Sequence, residues 1–151
     1  MGRFKNAATK ILILAVCFIS SVCIGAEDCK MREQNALEIL LNASRIESRL
    51  IGEGGRESKT HQAFHVLNKR KNASELFNRL YNNSTESAGK VYSLIWFFNN
   101  DEGIYYRYKE EYLKNNNTSL EIRIGDIVYN SALEDVFRKI ESGELLLLLN
   151  M

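Results

Sequence analysis

Glu86-Ser87-Ala88-Gly89-Lys90-Val91-Tyr92-Ser93-Leu94-Ile95-Trp96-Phe97-Phe98 is the most apolar long stretch beyond residue 26. Its Val91, Tyr92, Leu94, Ile95, Trp96, Phe97 and Phe98 fall on nearly every side of a 3.6-residue repeat, which predicts a helix buried all round at the centre of the molecule. A glycine inside a helix costs about 1 kcal/mol relative to alanine. Gly89 therefore predicts a neighbouring helix that comes close to the backbone at that point.

Working towards the N-terminus, Asn72 followed by Glu75 reads as a capping-box variant opening a helix with Leu76, Phe77, Leu80 and Tyr81 on one face. Ser58 can cap a helix to about Lys69, buried through Ala63, Phe64 and Leu67. Ala36, Ile39, Leu40, Ala43, Ile46 and Leu50 recur at spacings of three and four, which predicts a first helix over 33–51, ended by Gly52, Gly54 and Gly55.

Working the other way, Ile104, Tyr105, Tyr108 and Tyr112 define a helix over 101–114. Leu120 to Ile124 then alternate apolar and polar with the period of a half-buried strand. Gly125-Asp126 permits a turn into Ile127-Val128-Tyr129, giving a hairpin or one kinked strand that must lean on the helices to be stable. Ser131 with Glu134 reads as a capping box for a last helix to Gly143. The expected class is mainly α: an antiparallel stack of helical hairpins, HEAT-like, with a small β-hairpin or strand near the C-terminus. The chain has no proline, where average usage of about 5% would give roughly seven or eight, so nothing breaks these helices except Gly and Asn.

The first 26 residues have a different character. Arg3, Lys5 and Lys10 precede the apolar run Ile11 to Ile24, and no acid occurs before Glu27. That is the layout of a secretory signal peptide, with cleavage expected after Ala26 and a single helical domain over 27–151. A run of about 14 residues falls short of the ~20 that span a bilayer, so no stable membrane insertion is expected after cleavage. None of Cys17, Cys23 and Cys29 follows a small residue, as an acylated lipoprotein cysteine would. Cleavage would leave Cys29 alone, unable to close an internal disulfide. It would also move the formal charge from +1 to −2, which leaves no footprint for nucleic acid. The expected address is periplasmic or secreted.

His61 and His65 are the only histidines and stand at i, i+4, with Glu57 one turn before them. That spacing suits metal ligands. His61-Gln62-Ala63-Phe64-His65 approaches the zinc-protease pattern, but Gln62 occupies the place of the general-base glutamate and cannot take a proton from water. His61, His65 and Glu57 therefore remain a candidate structural metal site, against the plainer alternative of histidines at the edge of a helix face. Tyr105, Tyr108 and Tyr112 are a candidate aromatic platform for a sugar or base, although their helical spacing favours a core edge. There is no Gly-x-Ser-x-Gly elbow and no phosphate-cradling glycine loop, and no cofactor is expected.

Ser87-Ala88-Gly89-Lys90-Val91-Tyr92-Ser93-Leu94, followed by an aromatic helix, a β segment with Gly125 and Ile140-Glu141-Ser142-Gly143, resembles a loosely defined family of small exported bacterial helical proteins without assigned activity. The resemblance implies a helical scaffold and bacterial export. Relatives of that kind often carry cysteines in the buried helix and just after the turn glycine, where this chain has Ile95 and Asp126, so it implies no shared thiol role. The expected function is a non-enzymatic interaction module whose partner is another envelope or secreted protein. The alternatives are an envelope hydrolase with a metal or carboxylate site, and an immunity or accessory protein for a toxin.

Overall fold

The computed structural model describes residues 32–116 and 118–149, so the expected signal peptide and its cleavage site at Ala26 lie outside the described residues. By its contacts the chain divides into residues 1–34 and a compact unit over 35–151. The protein is mainly helical with a four-stranded sheet.

Residues 32–41 are helical (α1). They are followed by β1 (Ile46–Ile51), β2 (Arg56–Glu57), α2 (Lys59–Asn68), α3 (Ala73–Asn83), α4 (Ser87–Asn100) and α5 (Glu102–Asn115). The chain then forms β3 (Ser119–Gly125), β4 (Ile127–Ala132), α6 (Leu133–Glu141) and α7 (Glu144–Leu149).

The single long helix expected over 33–51 is corrected to a helix and a strand. Asn42 ends the helix: its Nδ2 donates to the Glu38 carbonyl at 2.9 Å, and Ala43 N donates to Leu40 O at 3.2 Å, tightening the last turn. Beyond that point Ile46 and Ser48 are buried with period two rather than 3.6. What decides for a strand is remote in sequence, because β1 pairs in parallel with β3, Ile46 beside Ile122 and Glu47 beside Arg123. A register shift follows before Ile51 meets Gly125. Gly52, Gly54 and Gly55 all hold positive φ, as expected of the turn, but they join two strands instead of ending a helix.

The sheet runs β2-β1-β3-β4, antiparallel except for the β1–β3 pair. The C-terminal hairpin forms where the alternation placed it, with Ile124 opposite Ile127 across Gly125-Asp126. It does not merely lean on the helices, since β1 extends it into a sheet. Leu120 and Ile122 face the core, and Glu121 and Arg123 alternate to the other side.

Helix α4 lies at the centre: Ala88, Val91, Tyr92, Leu94, Ile95 and Phe97 have no exposed surface. The close approach expected at Gly89 is present, since a Cβ there would lie 2.7 Å from the Leu40 carbonyl oxygen and against the Ser84 side chain. Two expected caps are corrected. Asn72 precedes α3 without a side-chain cap bond, and α6 starts at Leu133 behind Ala132 because Ser131 is taken up by the β-ladder, opposite Leu120. Ser58 does cap α2, its hydroxyl accepting from His61 N at 3.2 Å, and Asp101 caps α5.

Candidate functional site

The amphipathic spacing of α2 turns Ala63, Phe64 and Leu67 inward and leaves His61 and His65 together at the border of that face. Their Nε2 atoms lie 3.2 Å apart, and the rings meet edge to face. His61 is buried at 2% exposure, and His65 is half-buried. Arg49, Glu57, Gln62, Val66 and Lys69 join them around an open cleft of about 540 Å³.

Glu57 stands at the rim on β2. Its carboxylate accepts from Gln62 Nε2 at 3.1 Å and lies 3.7 Å from Arg49 Nε. The structure therefore brings the sequence-predicted trio into one cleft. Among the described residues, however, no group of three His, Cys, Asp or Glu is arranged to hold a metal, so the geometry is that of a two-histidine site with a carboxylate nearby. The His65 imidazole is held below its ordinary pKa, first by burial and then by the positive fields of His61, Lys69 and Arg49, with Glu57 working in the opposite direction. This favours the neutral imidazole, whose one unprotonated ring nitrogen can ligate or accept.

Arg49 was invisible to sequence reasoning as a member of this cleft, because a helix over 33–51 would have carried it elsewhere. The same holds for a second cluster. Glu47 Oε2 accepts from Ser58 Oγ at 2.7 Å and Thr60 Oγ1 at 3.1 Å, and the Tyr92 hydroxyl donates to Thr60 Oγ1 at 3.0 Å. These contacts tie β1 to the start of α2 and to α4.

Tyr105, Tyr108 and Tyr112 are not brought together as a platform. Tyr105 and Tyr112 are buried, the former with its hydroxyl donating to Glu141 Oε1 at 3.2 Å. Tyr108 stacks on Tyr81 with ring centroids 4.0 Å apart, and its hydroxyl donates to Asn78. In the C-terminal Leu145 to Leu149 run, Leu145 and Leu149 are fully buried, while Leu147 is 80% exposed.

One surface was not foreseen. β4 is an edge strand whose Ile127 and Val128 are 68% and 47% exposed, and whose six residues Ile127-Val128-Tyr129-Asn130-Ser131-Ala132 include no charge. Natural sheets protect free edges with lysine, proline or bulges. This edge has none of those residues. Among the described residues no helix is long and apolar enough to cross a membrane. Compared with known proteins, the chain matches no family model, no curated protein and no solved structure.

Proposed function

We propose that the protein is an exported, non-enzymatic interaction module that receives an extended, apolar-alternating segment of another secreted or envelope protein along the free edge of β4. The observation that carries this is the uncharged edge strand with Ile127 and Val128 in solvent. An edge strand offers a row of backbone donors and acceptors, and alternate side chains of an added strand supply specificity. In this reading α2 to α5 act as a short HEAT-like scaffold that holds the sheet rigid. Export rests on the basic and then apolar order of residues 3–24 and agrees with what the resemblance of residues 87–94 implies.

A random-peptide display selection against the full chain tests the reading. The expected outcome is a set of extended peptides with alternating apolar residues that bind the wild type and lose binding to Val128→Lys. Selected peptides that bind the wild type and Val128→Lys equally, or a selection that enriches nothing, would overturn it.

A further inference from the structure

We propose that His61 and His65 together bind a divalent transition-metal ion of the imidazole-preferring class, zinc in the first place, with water or a donor from another molecule completing the coordination. This rests on the α2 cleft and is independent of the β4 reading.

The geometry carries the argument. Zinc–nitrogen bonds of about 2.0–2.1 Å at a tetrahedral angle place two ligand nitrogens about 3.3 Å from each other. The two Nε2 atoms are 3.2 Å apart, which matches the separation that two nitrogen ligands of one zinc ion need. They are set one helical turn apart on α2, and His61 is locked in the core, so little side-chain freedom is lost on binding. Imidazole suits zinc, copper and nickel, and excludes the oxygen-seeking calcium and magnesium.

The surroundings decide how strong the site is. Two protein ligands leave at least two coordination positions open, and the cleft of about 540 Å³ has room for them. Arg49 and Lys69 oppose a cation. The first is offset by Glu57 at 3.7 Å, and the second is exposed and screened by water and salt. In the metal-free protein one ring donates its Nε2 hydrogen to the other. Binding needs that ring in the tautomer with its hydrogen on Nδ1, so that each Nε2 presents a lone pair and no net proton is released.

Calorimetric titration of the full chain with zinc chloride alone, its cysteines alkylated so that thiolates cannot compete, tests the proposal. The expected result is one equivalent bound, with affinity at least about tenfold weaker in His65→Asn, since even outer-shell partners of a metal contribute about that much. His61 is a core residue, so His65→Asn is the informative variant, and its circular dichroism must match the wild type. Copper(II) titrated alone provides the second measurement: its paramagnetic resonance should show two imidazole nitrogens in the wild type and one in His65→Asn. Absence of stoichiometric binding at millimolar zinc, or a folded His65→Asn that binds as well as the wild type, overturns it.

Discussion

The backbone N–H of Glu47 on β1 donates to the Tyr92 hydroxyl on α4 at 2.9 Å, across 45 residues of chain. That hydroxyl passes its own hydrogen to Thr60 Oγ1, so one phenol satisfies a strand donor and ties the start of α2 to the central helix. Tyr92→Phe keeps the ring and removes the acceptor, leaving a strand N–H without its partner. The expected loss is about 1–3 kcal/mol, read as a lower urea midpoint with an unchanged slope.

Gly89→Ala should be destabilising although alanine is the better helix former. Its Cβ would meet the Leu40 carbonyl oxygen at 2.7 Å, a backbone atom that cannot rotate away. Overpacking of that kind costs about 1–3 kcal/mol. Gly103→Ala is the control, because the nearest atom, Asp101 Oδ1, is at 3.6 Å and α5 should gain a few tenths of a kcal/mol or more. Thermal melts of the two variants should move in opposite directions.

Alkali should unfold the protein. Burial pushes the phenols of Tyr81, Tyr92, Tyr105 and Tyr112 above their ordinary range, with the Glu141 carboxylate adding to the effect at Tyr105. A raised folded value means the folded state keeps its protons when the unfolded chain has lost them. This contribution is fully present below pH about 10 and is lost as pH rises towards the folded values. Urea midpoints should hold level to about pH 9 and fall beyond about pH 10. Tyrosinate absorbance should appear together with unfolding rather than before it.

Exposed and buried positions of the β3–β4 ladder should respond differently to substitution. Ile127→Lys and Val128→Lys, on solvent-exposed residues, should change stability by no more than about 0.5 kcal/mol. Ile122→Ala, at a side chain with no exposed surface, should cost about 2–5 kcal/mol. Chemical denaturation of the three variants checks this and shows whether Val128→Lys, used to probe binding, leaves the fold intact.

Leu145→Ala should cost about 2–5 kcal/mol while Leu147→Ala is close to neutral, because the first is fully buried and the second is 80% exposed. Equal effects in a thermal melt would mean that α7 does not dock as described.

The sequence by itself determined the existence of α2 to α6 and the two alternating runs of β3 and β4, because each rests on local causes. Ser58 and Asp101 cap their helices, the 3.6-residue pattern supplies a face, and Gly125-Asp126 turns two alternating runs on each other. The central place of α4 and the crowding at Gly89 were legible for the same reason, as were the two histidines sharing one helix face.

Only the tertiary structure decided the rest. Residues 46–51 satisfy a helical pattern as well as a strand, and the choice between them depends on hydrogen bonds to β3, more than 70 residues away, which no local window contains. That choice also places Arg49 beside the histidines and Glu47 beneath Tyr92, and turns the glycine run into a strand connection. Tyr105 and Tyr112 follow the same logic: local spacing showed that they shared a helix face, and only packing showed that this face was already covered.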